Sequence, residues 1–583
     1  MLKGIAVSPG IAVARAYCVD SVLARREPQY LSAATVSQEI VRFDAACQAA
    51  AVEMDAAIAR VSEQLGDDEA AIFRSHRLLL RDPALVGKVK SSILQRQVDA
   101  QTALHDLLDE YTALFDKIQD EYLQERMADI RDVVTRIMAH LTIQETPAGL
   151  AGDEPVILVA PEILPSQALL LEKLKVVGIL TEAGGGTGHA AILARAMGIP
   201  SVSGLRGVLK LVVTGDLLAI DGRLGSVFIK PDPELEAAYR KAEREYVHLR
   251  DKLVENRDQP AITKDGAAIE LLANVNSVHD AEMACRTGAT GVGLYRTEYL
   301  FLTHPSVPTE EEQLATYRAI IEASPNRKVT IRTLDIGGDK LVPYFGHERE
   351  ANPFMGWRSI RITSSYPEFF QTQLRAILRA AMFGEVSLLF PMISTLEEVR
   401  TIKRMVADTK ERLRREGIAF ADRLPFGIML EVPAAAMTIH SLLREVDYVS
   451  IGSNDLTQYV MAADRDNPKV AHLCDPFSPP IFRLLRHIIR ACNRHDKPVT
   501  LCGEMAGRPR CFLPLVGMGL RRFSMSPAFV PTIKELTRSS TIDIACQVAE
   551  RVRRLRTFKR MRKYLTRVTR QVCPNIAFFD TTK

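Results

Sequence analysis

Between residues 36 and 65 the apolar side chains Ile40, Phe43, Cys47, Ala50, Met54, Ile58, Val61 and Leu65 fall at steps of three and four. That spacing lines one face of a long amphipathic helix. Helical periodicity runs on to about residue 143, through DIRDVVTRIMAHL, with almost no alternating pattern between. Helical hairpins are therefore expected over 21–147. The flanks differ: KGIAVSPGIAVARAYCV precedes the block, and VILVA, VVGILT, LKLVVTGDLLAIDG and GSVFIK follow it, all short strand-type runs. The block reads as an insertion in one α/β domain made of 1–20 and 148–230, and the Glu-, Lys- and Arg-rich stretch 231–258 as a connecting helix.

From 259 to 583 the pattern becomes a regular alternation. Apolar runs recur at IELLANV, GVGLYR, VTIRTLD, SLLFPMI, GIMLEV, YVSIGSND, VTLCGE and RRFSMS, mostly with helical segments between them. Eight buried strands joined by helices over about 300 residues predict a (β/α)₈ barrel, whose chemistry sits at the C-terminal strand ends. The polar residues gather at those ends: Asn274, Arg296, Arg332, Asp335, Glu431, Asn454, Asp455, Cys502, Glu504 and Ser524.

Arg296 and Arg332 are joined by Arg358 from NPFMGWR and Arg465 from AADRDN. Several guanidinium groups around one cavity suit a small polyanion, because each can hold a phosphate or carboxylate bidentately. A single arginine there is better explained by pairing with an acid such as Glu298; the set is not. Glu431 and Asp455 stand at the ends of adjacent predicted strands. Two carboxylates near phosphate-binding groups match the way Mg²⁺ is held, with water and substrate supplying its other ligands. Cys502 lies on the same rim, where nearby cations are expected to lower its pKa and allow proton exchange at neutral pH.

A further candidate lies in TEAGGGTGHAAILARAMGIP, residues 181–200. A strand, a glycine turn and a short helix beginning near His189 offer main-chain N–H groups and a favourable dipole to an anion. One alternative is the tail of a dinucleotide fingerprint, but the helix is too short and Asp216 and Asp221 fall in a turn and another strand. Another is that His189 itself carries a phosphate. A third is that it is simply a loop residue.

Composition narrows the class. Hydrophobic residues at 47% with 25% charged describe a folded globular chain, not a disordered or fibrous one. No apolar run is long enough to cross a membrane, and Ser8, Pro9 and Arg15 interrupt the N-terminus where a secretory signal needs a continuous apolar core. A cytoplasmic protein is expected. Nine cysteines without CxxC spacing point to reduced thiols, not to disulfides or zinc. The formal net charge of +4 hides an asymmetry: residues 551–570 hold ten Lys or Arg and no acid, and the remainder is at −6. Val552, Leu555, Phe558, Leu565, Val568 and Val572 give that stretch one apolar stripe. A single docked basic helix is expected, in preference to a nucleic-acid or lipid binder.

Taken together, KGIAVSPGIA, GGGTGHAAILAR, GVGLYRTEYLF, RTLDIGGDK, NPFMGWRSIR, EVPAAA, SIGSNDLTQY, DR and CGEMAG resemble the enzyme I family of the bacterial sugar phosphotransferase system over nearly the whole chain. The resemblance implies a phosphohistidine swivelling α/β domain with an inserted helical subdomain, followed by a C-terminal (β/α)₈ TIM barrel. It implies that His189 is phosphorylated through Nε2, and that Cys502 protonates the enolate of pyruvate. Arg296, Arg332, Arg358 and Arg465 with Asn454 and Asp455 would hold phosphoenolpyruvate, and Glu431 and Asp455 would hold Mg²⁺. The helical block would dock the carrier protein HPr, and the barrel would form a homodimer. Related nucleotide-using enzymes need a large nucleotide domain, for which the first 147 residues are too short and too helical. The chain departs from the family pattern at Gly186 and Gly188, where enzyme I carries Arg and Ser, at Ala168 in place of a Thr, and at Asp466 in place of a Gly. These changes imply a less stabilised phosphohistidine, and leave open a regulatory protein of the same fold.

Overall fold

The computed structural model describes residues 1–8, 10–18, 29–32, 35–64, 77, 80, 82–115, 130, 133–138, 140–141, 154–161, 175–182, 194, 199–304, 306–337, 350, 352–465, 467, 469–574 and 576. These residues form two compact units, Met1–His248 and Leu249–Thr582.

In the first unit the strand-type runs build an eight-stranded mixed sheet: β1 (Leu2–Lys3), β2 (Ile5–Ser8), β3 (Ile11–Cys18), β4 (Val156–Ala160), β5 (Val176–Thr181), β6 (Ser201–Ser203), β7 (Leu217–Asp221) and β8 (Ser226–Ile229). Their order is β1-β8-β7-β3-β4-β5-β6-β2. β3, β4, β5 and β6 run parallel, whereas β7 pairs antiparallel with both β3 and β8. β4 is apolar at every position because both its faces are covered. Ile157 and Val159 enter one cluster with Leu180 and Ile220, while Leu158 and Ala160 enter another with Ile179 and Ile199. Successive side chains alternate between faces, so one short run supplies two cores.

The segment between β3 and β4 holds helices Val36–Gln64, Pro83–Arg96 and Ala100–Phe115. Their three- and four-residue spacing becomes a separate core, with Phe43, Ala50 and Met54 packed among Val89, Ile93, Leu104, Val133 and Ile137. A long helix, Pro233–Glu255, follows the sheet.

In the second unit eight parallel strands close into a barrel, β9 (Glu270–Val275), β10 (Val292–Arg296), β11 (Lys328–Arg332), β12 (Glu385–Phe390), β13 (Phe426–Leu430), β14 (Tyr448–Gly452), β15 (Val499–Cys502) and β16 (Arg522–Met525). Closure comes from β16 pairing with β9, Phe523 opposite Leu271 and Ser524 opposite Leu272. Alternation again sorts the residues. Val329 and Ile331, Ile428 and Leu430, Val449 and Ile451, and Leu501 belong to the large outer cluster under the helices. Leu294, Leu389, Met429 and Cys502 fill the barrel interior. Counting in twos from those interior residues, Arg296, Arg332 and Glu431 fall on the inward side at the C-terminal end.

The basic C-terminal stretch departs from expectation. It forms two helices, Ile542–Arg554 and Phe558–Val572, not one. Leu555 is extended, and the Thr557 side chain caps the second helix by accepting from Arg560 N. The second helix docks through Met561, Leu565 and Thr569, while Phe558 is left exposed. Among the described residues no helix is long and apolar enough to cross a membrane.

Candidate active site

Strand ends place most of the predicted polar residues around one mouth, and the arginines there are not waiting empty. Arg332, at the end of β11, is 6% exposed; its Nη2 donates to Glu298 Oε1 and its Nη1 lies 3.0 Å from Asp335 Oδ2. Arg358 immediately precedes Ser359, whose φ of 56° is left-handed. It donates through Nε and Nη2 to the two Asp335 oxygens at 3.2 Å, and through Nη2 to Asp455 Oδ2 at 2.9 Å. Arg465 Nη1 donates to Asp455 Oδ1 at 3.0 Å. Three of the four arginines are thus ion-paired with rim acids. Arg296 makes no ion pair among the described residues; it donates to Asn276 Oδ1 at 3.4 Å, and burial together with Arg332 holds its pKa below the ordinary value. An uncompensated cation beside a second one is the arrangement expected of a group that waits for an anion.

Glu431, just past β13, is 1% exposed and accepts from Met392 N at 2.7 Å. Its close fit depends on Gly452 at the end of β14, where a Cβ would sit 2.5 Å from Glu431 Oε2. Asp335, Glu431 and Asp455 form a buried group in which one carboxylate oxygen from each lies within 4.8 Å of the others. Burial first, then the charges of Asp455 and Asp335, push the Glu431 carboxyl well above its ordinary value despite Arg332 and Arg358 nearby. Three carboxylate oxygen donors held that close are a set that suits a hard divalent cation. Sequence reasoning paired only Glu431 with Asp455. Asp335 was visible at the strand end in RTLD, yet nothing in its neighbours showed that the fold brings it to the other two.

Cys502 ends β15 and faces inward, 2% exposed, accepting from Ser450 Oγ at 3.3 Å and donating to the Ile451 carbonyl at 3.2 Å. The expected lowering of its pKa is not what the structure gives. Arg332 and Arg296 do pull downward, but burial outweighs them and the thiol is pushed up from 9.0 to about 11. It is therefore a proton donor at neutral pH, not a thiolate. We expect iodoacetamide to modify exposed Cys546 at pH 7.5 while Cys502 stays unmodified, with its reactivity appearing only as pH approaches 11; early loss of Cys502 in a peptide-mapping time course would contradict this. The sign for stability follows: between pH 9 and 11 the unfolded chain gives up this proton before the folded one, so stability falls as pH rises through that window.

Asn454 Oδ1 accepts from Glu504 N at 3.2 Å, tying the helical turns that follow β14 and β15 together. Ser524 Oγ donates to Asn274 Oδ1 at 2.6 Å across the β16–β9 closure. His189, with Gly186, Gly188 and Ala168, lies outside the described residues, as does Asp466.

Profiles of the PEP-utilising enzymes match this chain in three pieces: the N-terminal region over 3–126, the mobile domain over 152–225 and the PEP-binding domain over 250–542. The last contains the whole rim described above and by itself spans half of the chain. This chain belongs to the PEP-utilising enzyme family. Curated relatives extend along its full length. The phosphoenolpyruvate-protein phosphotransferase of Bacillus sp. (strain S) is 39% identical over 566 residues, covering 97% of this chain and 98% of the relative. That of Geobacillus stearothermophilus is 40% identical with the same coverage, and that of Staphylococcus carnosus (strain TM300) is 38% identical over 94% of this chain and 96% of its own. Within this PEP-utilising enzyme, Arg296, Arg332, Arg358, Asn454, Asp455, Arg465, Glu431 and Cys502 all fall in the PEP-binding region, and His189 falls in the mobile-domain region.

Proposed function

We propose that this chain is a phosphoenolpyruvate–protein phosphotransferase: it moves the phosphoryl group of phosphoenolpyruvate to His189 and then to the carrier HPr, releasing pyruvate. The observation that carries this reading is the interlocked rim of arginines and carboxylates, a site built for a phosphate and its counter-cation, in a chain whose full-length relatives bear that name. The P–O bond to the enolate oxygen breaks as the bond from phosphorus to His189 Nε2 forms. Arg296, Arg332, Arg358 and Arg465 offset charge on the transferred group and the carboxylate, and Asn454 helps orient the substrate. Glu431 and Asp455, with Asp335 beside them, would hold Mg²⁺, which when bound would supply positive charge to offset the negative charge developing in the transfer. Cys502, kept protonated by its buried setting, gives its proton to the enolate carbon.

The same resemblance supports HPr docking on the helical block 21–147, a homodimer through the barrel and a cytoplasmic setting. Because His189 stands on a separate domain from the rim, the α/β domain travels between phosphoenolpyruvate and HPr, with the helix after it as the connection.

Incubation with phosphoenolpyruvate labelled in the phosphate, with Mg²⁺, tests the reading. Acid-labile, base-stable label on the wild type, absent from His189→Ala and passed on to HPr, is the expected result; labelling that survives His189→Ala removes the proposal. Gly186→Arg with Gly188→Ser is expected to raise the labelling rate, and label that never reaches HPr would favour a regulatory protein instead.

A further inference from the structure

Helix Pro479–Arg494, which links β14 to β15, has the sequence PPIFRLLRHIIRACNR and contains no acid. Arg483, Arg486, Arg490 and Arg494 recur at three- and four-residue steps, with His487 among them, so they share one face of the helix. Arginines at i and i+4 repel, and a solvated helix normally alternates such positions with Glu or Asp. Here the helix of Ile542–Arg554 adds a fifth, Arg553, and one carboxylate serves the group: Glu550 lies 2.9 Å from Arg486 and 3.0 Å from Arg553. Arg483, Arg490 and Arg494 make no ion pair among the described residues.

The arginines do not stand on a convex surface. They border a cavity of about 360 Å³ whose floor is apolar, formed by Phe482, Met518 and Val552, and to whose wall His440 and His487 contribute. That volume lies in the range of small-ligand sites, and the lining follows their usual pattern of an apolar bed with a few converging charges. Burial and the charge of Arg490 hold Arg486 below its ordinary value, the mark of cations crowded without enough counter-charge. None of the lining residues stands at a C-terminal strand end, so the cavity is distinct from the candidate active site.

We propose that this cavity binds a small organic polyphosphate, an anion carrying two or more phosphates on a carbon skeleton, of the nucleoside triphosphate class. The guanidinium groups along the helix suit successive phosphates, and the apolar floor, with Leu555 as its more exposed part, suits an apolar body. The basic patch of the last helix is the natural comparison. Its Arg567 and Arg570 also border a depression, but among the described residues Arg510 of helix Pro509–Gly517 is the one cation that lines it from outside that helix.

Isothermal titration of the full chain with ATP, in the absence of divalent cations, is the test, with inorganic tripolyphosphate in parallel. We expect one ATP per chain, an affinity about tenfold weaker in Arg490→Ser/Arg494→Ser, and little change in Arg567→Ser/Arg570→Ser. Because Arg490 and Arg494 are exposed, the melting temperature of the double variant is expected to stay unchanged. Tripolyphosphate, which cannot use the floor, should bind more weakly than ATP. No binding, equal loss in both double variants, or loss confined to Arg465→Ser, which would place ATP on the barrel rim, overturns the assignment. Equal affinities for ATP and tripolyphosphate overturn the organic part of it.

Discussion

Asp455→Ala is expected to slow phosphoryl transfer from phosphoenolpyruvate about 10³-fold, a barrier change of about 4 kcal/mol. It should also abolish the dependence of the residual rate on Mg²⁺. The size follows from how many roles meet at this carboxylate. One oxygen accepts from Arg358 and the other from Arg465, and Asp455 is also one of three acids close enough to share a cation. Its removal would take a proposed metal ligand and one partner each from Arg358, which keeps Asp335, and from Arg465. Asp455→Asn keeps the shape but loses the charge and turns one of the two acceptor oxygens into a donor facing an arginine, so it should remain Mg²⁺-insensitive while recovering little rate. Initial rates of label incorporation across a Mg²⁺ titration provide the measurement. A normal Mg²⁺ response in Asp455→Ala would show that the carboxylate cluster does not hold the metal.

Arg332→Met should destabilise the barrel by about 3–5 kcal/mol, the usual result of deleting one partner from a buried ion pair. Glu298 is 2% exposed and its Oε2 already has no hydrogen-bond partner among the described residues; without Arg332 it would be left buried with its charge uncompensated. Asp335 keeps Arg358, so the damage concentrates on Glu298. Adding Glu298→Gln to Arg332→Met removes the stranded charge and should restore at least about 1 kcal/mol, a coupling typical of residues in contact. Calorimetric melting of the wild type, both single variants and the double variant closes the cycle. Additive changes would mean that the two side chains do not depend on each other. Activity gives an independent reading, since Arg332→Met should stay inactive even where Glu298→Gln restores its stability.

Much of the barrel was legible because its strands are buried on both faces and therefore read as short apolar runs with a polar residue where each one ends. Two-residue alternation carried that further, since it puts Arg332, Glu431 and Cys502 on the inner side once their strands are aligned. Quantities that depend on what surrounds a group were not legible. The Cys502 thiol was expected to follow its cationic neighbours, whereas the loss of water around it is the larger effect. Pairing with acids was not expected to account for the arginines as a set, but three of them pair with Glu298, Asp335 or Asp455 just beyond strand ends, across 23 to 97 residues of chain for Arg358 alone. The division of the basic segment had a local signal in Thr557, a residue type that caps helices, but the continuous apolar spacing on either side masked it. The histidine segment lies outside the described residues, and its role stands on the resemblance and on the proposed experiment.

Gly452 contributes no functional group, yet the site depends on it. Its φ of −81° is open to any residue, so conformational freedom is not the reason a glycine stands there. The reason is the Glu431 carboxylate, which occupies the space that a side chain would need. Every amino-acid replacement at 452 adds at least that one carbon. In a genetic screen for lost activity, position 452 would therefore score beside the charged residues of the rim, as a place where function is encoded by the absence of an atom.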